Sequence, residues 1–338
     1  LTARAHEFIH HGEAPVTTPA DIPVVSDEID PDGAPGAPTL TGELAQPSPM
    51  ASLPRGAAFG TLVHAIYETF DPHAADLDSE IRDHTARWLP RLPVDVPGAE
   101  LTAEGLAQAL LPAIQTPLGP VASGLRLCDI SRRDRLAELG FEYALAGGDH
   151  PTRRVLLREI GDLLTQHLPP QDPLVSYPDR LADPLLGDEV LRGYLTGEID
   201  AVLRIPGDRV RYVVVDYKTN WLGPLDEGAP LLVGHYTPKA MAEAMMEAHY
   251  PLQALLYAVA LHRFLRWRLP DYDPAQDLGG IAYLFVRGMA GPDTPVVQDS
   301  PCGVFSWHPP AALISELSDL LAGVDVQGLE GDGDATRR

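Results

Sequence analysis

The stretch Val213-Val214-Val215-Asp216-Tyr217-Lys218 constrains this chain more than any other. Consecutive β-branched residues favour an extended strand covered on both faces. A covered strand is an unfavourable place for charge, yet this one ends in an aspartate and a lysine two residues apart. That spacing puts both on the same face. Arg209 to Thr219 is the returning arm of a hairpin: Gly197-Glu198-Ile199-Asp200-Ala201-Val202-Leu203-Arg204-Ile205 leads into a Pro206-Gly207-Asp208 turn. Lys218 is one of only two lysines, with Lys239, in 338 residues. Arginine is a planar fork and lysine a compact ammonium, so a lysine at 218 in a chain that otherwise avoids it indicates a chemical requirement. The competing reading is an ordinary ion pair on an exposed edge strand, which is worth little. The valine run argues against it.

The flanking pattern is that of an α/β domain. Gly56 to Glu68 reads as a glycine-led turn followed by a helix, with His64 and Glu68 on one face. Further helical stretches are expected at 79–92 and 103–114, and again over 238–269 with a break near Tyr250-Pro251. Leu136 to Leu145 alternates like a strand, Gly279 to Arg287 is a further apolar strand, and a short segment from Phe305 precedes a last helix at 311–321.

The ends differ from this middle. Residues 5–54 contain no Lys or Arg and are dominated by Pro, Ala, Thr, Asp and Glu, so residues 1–50 are expected to form an extended linker. Residues 323–338 are expected to be a flexible acidic tail, leaving 51–322 as the folded domain. A chain beginning with Leu1 rather than Met is expected to be a piece of something longer. No apolar run is long enough to span a bilayer and no signal peptide is visible. Cys128 and Cys302 cannot make a four-cysteine metal site; two reduced, buried thiols in a cytoplasmic protein are the simplest expectation. The net charge of -23 would repel a phosphate backbone. Either the chain does not touch nucleic acid, or it acts on strands that something else delivers.

Asp200 lies on the partner strand of the hairpin, where its carboxylate can converge with that of Asp216. Two such groups repel unless a cation lies between them, and hard oxygen donors favour Mg²⁺ or Mn²⁺. A bound divalent ion acidifies water and neutralises a phosphoryl oxygen, and a neighbouring ammonium stabilises developing charge. Asp200, Asp216 and Lys218 thus suit phosphodiester hydrolysis.

Gly-Glu-Ile-Asp at 197–200 followed by Asp216-Tyr217-Lys218-Thr219-Asn220-Trp221-Leu222-Gly223 resembles the nuclease domain of the RecB type in the PD-(D/E)XK superfamily. Gly60-Thr61-Leu62-Val63-His64 resembles the family's G-x-x-x-H motif, Glu138-Leu139-Gly140-Phe141 its acidic strand, and Gln253 to Tyr257 its Q-x-x-x-Y helix. The segments His262 to Arg266 and Gly279 to Gly288 are also similar, so the likeness covers about residues 51 to 322. It implies a restriction-endonuclease-like core with a central mixed β-sheet flanked by helices. It implies metal ligation by His64, Asp200, Asp216 and the Tyr217 backbone carbonyl, and catalysis by Lys218 with Asp216, Asp200 and Glu138. Glu142 is the second choice for the acidic residue. Gln253 and Tyr257 match residues that position DNA, although a simple i,i+4 helix pair is an equal reading.

The resemblance further implies a Mg²⁺-dependent deoxyribonuclease that cleaves single-stranded DNA during the resection of double-strand breaks. Its partners would be RecC and RecD subunits and helicase domains upstream in the full-length chain. The iron–sulfur branch of the superfamily needs four cysteines and does not fit. A catalytically inactive domain of the same fold, used for binding DNA or protein, is the alternative; it would be expected to lack the acidic and lysine residues that are present here.

Overall fold

The computed structural model describes residues 16–17, 40–94, 101–146, 148–150, 153–226 and 228–324. Most of the expected linker and residues 325–338 of the expected tail lie outside them. The helices that position the site are α1 (Ala57–Thr69), α2 (Leu77–Trp88), α3 (Ala103–Gln115), α4 (Leu157–His167), α5 (Pro238–Glu247), α6 (Tyr250–Arg268) and α7 (Ala311–Leu321). The principal strands are β1 (Arg135–Leu145), β2 (Gly193–Ile205), β3 (Arg211–Lys218), β4 (Leu278–Phe285) and β5 (Val304–Trp307).

The strands form one mixed sheet in the order β1-β2-β3-β4-β5. The β3–β4 pair is parallel and the other three pairs are antiparallel. A two-residue strand, Val16–Thr17, runs parallel to β2 at Tyr194 and Leu195. The hairpin expected from the Pro-Gly-Asp turn is the β2–β3 pair. The parallel β3–β4 pair needs a crossover, which is supplied by the segment carrying α5 and α6. Among the described residues, no helix is long and apolar enough to cross a membrane.

Helices cover both faces. On one, Phe59, Leu62, Val63 and Ile66 of α1, with Leu110 and Ile114 of α3, pack on Ala201, Leu203, Val213, Val215, Tyr217 and Leu284. On the other, α4, α6 and α7 pack on Ile199, Val202, Val214, Ile281, Tyr283 and Phe285. Val213, Val214 and Val215 are at most 1 % exposed, which accounts for the valine run. Each contributes roughly 1.5–3 kcal/mol by burial, against about 1–2 kcal/mol per residue for ordering the backbone. The α6 helix is buried at thirteen consecutive positions, Tyr250 to His262, because it is enclosed between the sheet and further helices.

Ordered structure begins before residue 51. Residues 42–45 form a 3₁₀ turn, Ser48 and Met50 are buried, and the Ser48 hydroxyl donates to the Arg287 carbonyl at 2.6 Å. The composition of 40–50 suggests a tether, but those residues are anchored by contacts to chain more than 180 residues away, with the Ser48 amide donating to the Leu231 carbonyl. The thiols also depart from expectation, since Cys302 is buried but Cys128 is only half-buried. The region between β1 and β2, for which no element is expected above, contains α4 and two short helices, Tyr177–Leu181 and Pro184–Gly187.

Candidate active site

The site forms where β2 and β3 part. Their pairing ends at Ala201–Val215. The next outward-facing amide, that of Tyr217, instead donates to Asp200 Oδ2 at 2.8 Å. A backbone donor that lost its ladder partner is thus satisfied by a carboxylate, which the bond also holds in place.

Directly opposite, β1 and β2 exchange faces. Ala137 pairs with Ala201, which belongs to the α1 side of the sheet, while Leu139 pairs with Ile199, which belongs to the α6 side. The residues between them, Glu138 and Asp200, sit at the exchange, and Glu138 has φ of 51°. A left-handed backbone at a non-glycine residue is uncommon; here it accompanies the change of face without a shift in register, since the pairs on either side keep one spacing. Both carboxylates lie beside the point where the β2–β3 pairing ends. The rival acidic position, Glu142, pairs with Thr196 four residues farther along the strand.

The α1 helix supplies the third side. Gly56 precedes it with φ of 95°, a backbone conformation for which glycine is suited. The Tyr217 ring points to the opposite face from Asp216 and Lys218 and lies against α1, with its centroid 4.9 Å from Tyr67 and 6.3 Å from His64. This contact sets the depth at which His64 reaches the sheet. His64 Nδ1 is 3.4 Å from Asp200 Oδ2. One helical turn on, Glu68 joins them: donor atoms of His64, Glu68 and Asp200 all lie within 4.8 Å of one another. Among the described residues this is the one group of such donors with the spacing of a metal site. Glu68 also lies within hydrogen-bonding reach of Glu138.

Asp216 and Lys218 occupy the α6 side. Both are buried, at 2 % and 4 % exposure, and Lys218 Nζ is 2.8 Å from Asp216 Oδ2. The exposed edge-strand reading therefore fails. The ammonium is further held by Gln253 Oε1 at 3.4 Å and lies over the rings of Tyr250 (4.3 Å) and Tyr283 (5.4 Å). Gln253 in turn accepts from the Tyr283 hydroxyl at 2.8 Å and donates to the Tyr257 hydroxyl at 3.2 Å. Gln253 and Tyr257 are thus more than a helix pair: they form a buried network whose observed contact is with Lys218.

The electrostatics follow. Burial opposes the His64 imidazolium, but the adjoining Asp200 outweighs it and raises His64 to about 9. Burial also pushes up Asp200, yet His64 and the Tyr217 amide prevail, and its carboxyl falls below the ordinary range. Asp216 is pushed up to about 7 by burial and by Asp200, with Lys218 opposing. Glu68 is pushed up to about 7 by burial and by Glu138 and Asp200. Lys218 is held above its ordinary value: burial works against the charge, but Asp216 and the Tyr250 ring overcome it. Lys218 is accordingly a permanent cation at neutral pH. Asp216 and Glu68 hold protons more readily than ordinary carboxyl groups, because they are buried and because other acids lie beside them. Such a donor set, two oxygen acids and an imidazole with a third acid close by, fits a hard divalent cation.

His64, Asp200, Asp216, Lys218, Glu138, Gln253 and Tyr257 all line this one neighbourhood. The sequence reading left out Glu68, Tyr250 and Tyr283. Glu68 was within reach of it, since H-x-x-x-E spacing puts both side chains on one helix face. Tyr250 and Tyr283 have no local signal, because only the packing of α6 on β4 brings their rings to Lys218.

Residues 42–325 match the PD-(D/E)XK nuclease superfamily. The chain is 55 % identical over 276 residues to the RecBCD enzyme subunit RecB of Mycolicibacterium smegmatis, covering 81 % of this chain and 25 % of that protein. It is 56 % identical over 276 residues to RecB of Mycobacterium tuberculosis, covering 81 % of this chain and 24 % of that protein. It is 31 % identical over 281 residues to RecB of Escherichia coli, covering 81 % and 20 %. The chain spans about a quarter or less of the length of these curated relatives. A mixed sheet enclosed by helices, with an acid–lysine strand end converging on a histidine-bearing helix, agrees with these matches: the chain belongs to the PD-(D/E)XK nuclease superfamily and carries a nuclease domain of the RecB type.

Proposed function

We propose that this domain hydrolyses phosphodiester bonds in single-stranded DNA with a divalent cation, Mg²⁺ or Mn²⁺, held by His64, Asp200, Asp216 and the Tyr217 carbonyl. The observation that carries this is the convergence of His64, Asp200, Asp216 and Lys218 at one splayed strand end. When bound, the cation supplies neutralisation of a phosphoryl oxygen and acidifies a water. The rest is the protein's own work. Lys218 presents a fixed ammonium to charge developing on the phosphoryl group, and it costs little reorganisation because Gln253, Tyr250 and Tyr283 already hold it. Asp200 is oriented by the Tyr217 amide and His64. Glu138 completes the acidic rim beside Glu68.

The net charge of -23 supports a delivered substrate rather than a captured one. In this reading the domain acts within a RecBCD-type enzyme, with RecC and RecD as partners. Helicase domains upstream feed strands to the site during the resection of double-strand ends. The folded domain begins by about residue 40, where the chain is anchored to the core through Ser48.

The test is degradation of 5′-labelled single-stranded DNA by the purified chain with Mg²⁺, with Asp216→Ala as the comparison. Activity is expected to need the cation and to fall by at least about 10³-fold in the variant. Undiminished activity in Asp216→Ala removes the site assignment. Cation-independent inertness with intact DNA binding would favour a binding module.

A pH dependence follows as well. Asp216 near 7 and His64 near 9 must lose protons to ligate. Cation affinity should therefore rise with pH, by about tenfold per unit for each proton displaced, between about 6 and 8. Isothermal titration with Mn²⁺ at several pH values measures it. A flat profile over that window would show that these groups do not contact the ion.

A further inference from the structure

We propose that Glu68 is itself a ligand of the divalent cation, with Glu138 as the residue that positions it. The inference rests on the cation-dependent nuclease reading and adds a carboxylate to its ligand set.

Three observations carry it. First, Glu68 and not Asp216 is the carboxylate that groups with His64 and Asp200, donor atoms lying within 4.8 Å of one another. Ligands on opposite sides of Mg²⁺, each at about 2.1 Å, are about 4.2 Å apart. Adjacent ligands are about 3 Å apart; the 3.4 Å between His64 and Asp200 is already close to that, and a side-chain adjustment of Glu68 on the order of an ångström brings the third donor onto the same ion. Second, Asp216 has a competing commitment, since its Oδ2 is 2.8 Å from Lys218 Nζ inside a buried network. Asp200 Oδ2 is already engaged by the Tyr217 amide and His64. The ion therefore gains from another carboxylate on the α1 side. Third, Glu68 and His64 are one turn apart on a single rigid helix anchored by Phe59, Leu62, Val63 and Ile66, so their separation varies little. A pair presented this way is preorganised, which favours ligation.

Glu138 approaches Glu68 from the other side, from a strand residue with φ of 51°. Two carboxylates held together at partly exposed positions repel one another unless a proton or a cation lies near. A backbone conformation that a non-glycine residue rarely adopts maintains that arrangement. Ligands of metal ions are commonly held by such neighbours, whose loss weakens binding about 10- to 100-fold.

The test uses Mn²⁺ alone, titrated into the whole chain and read by the loss of free-ion electron paramagnetic resonance signal, with no DNA present. Glu68→Gln is isosteric and relieves repulsion, so its metal-free melting temperature should equal or exceed that of the parent. Its Mn²⁺ affinity should fall at least about tenfold. Glu68→Asp, which keeps the charge but shortens the reach, should lie between the two, and Glu138→Gln should lose less than Glu68→Gln. Glu142→Gln, which removes an equal charge farther along β1, should bind within twofold of the parent. If Asp200→Asn loses binding while Glu68→Gln keeps it, Glu68 is not a ligand and the nuclease reading stands. If Glu142→Gln weakens binding as much as Glu68→Gln, the effect is that of the acidic field and the proposal is overturned. If the parent chain itself binds no Mn²⁺, this proposal and the reading beneath it both fall.

Discussion

Lys218→Met will sharply lower the proposed nuclease activity and destabilise the fold, and the destabilisation will grow with pH. For activity, loss of a preorganised cation at the reacting phosphate is expected to lower turnover by about 10²–10³-fold or more. For stability, the variant leaves Asp216 at 2 % exposure without the ammonium that sits 2.8 Å away. A buried carboxylate that loses its partner costs about 3–5 kcal/mol if it stays ionised. It can escape that cost by staying protonated. Its folded pKa, already about 7 with Lys218 in place, must then rise further, because Lys218 was the largest influence opposing burial. In the unfolded chain the same group ionises near pH 4. The folded state therefore binds the extra proton between these limits, and stability falls as pH rises from about 4 to beyond 7. Urea melts of Lys218→Met at pH 5 and pH 8 measure this. The double variant Lys218→Met with Asp216→Asn should regain most of the loss at pH 8 and remain inactive. An equal loss at both pH values, or no recovery in the double variant, would show that the pair is not the source.

Arg287→Ala is the second large effect, and it acts away from the chemistry. Arg287 is 0 % exposed. Its Nε donates to the Thr219 carbonyl at 2.7 Å, one terminal nitrogen to the carbonyls of Met50 (2.9 Å) and Leu53 (3.4 Å), and the other to that of Pro54. The guanidinium also lies over the rings of Phe59 at 4.8 Å and Trp221 at 5.5 Å. One side chain thus fastens three pieces: the residue after Lys218, the segment leading into α1, and the first turn of α1 itself. Removing it strips donors from buried carbonyls, at about 1–3 kcal/mol for each left unsatisfied, and opens a cavity. A loss of about 3–5 kcal/mol is expected in urea denaturation. Protease cleavage within residues 40–55 should become faster than in the parent, because that segment loses its anchor. Arg287→Lys keeps the charge but not the fork that reaches several carbonyls, so it should recover only part of the stability. An Arg287→Ala variant within 1 kcal/mol of the parent would refute this account.

Much of the architecture is legible in the sequence. The hairpin followed from period-two patterning around Pro206-Gly207-Asp208, and it is present as Gly193–Ile205 and Arg211–Lys218. The break between α5 and α6 was visible at Tyr250-Pro251, and His249 there has φ of 54°. The helix with His64 and the strand with Glu138 were also expected. The helix Leu157–His167 is not among those expectations, although Leu157, Ile160, Leu163 and Leu164 recur at helical spacing and are buried.

Sequence alone determined which residues can do chemistry and which local element carries each. Turn chemistry, alternation along a strand and the 3.6-residue helical period depend only on neighbours a few positions away. Tertiary structure decided how those elements meet. The parting of β2 from β3 beyond Ala201–Val215, the exchange of faces at Glu138 and Asp200, the arrival of Glu68 beside them and the burial of Arg287 among distant carbonyls are all set by packing between segments tens to hundreds of residues apart. Such contacts form only when the covering helices close on both faces of the sheet, and local pattern carries no record of that closure.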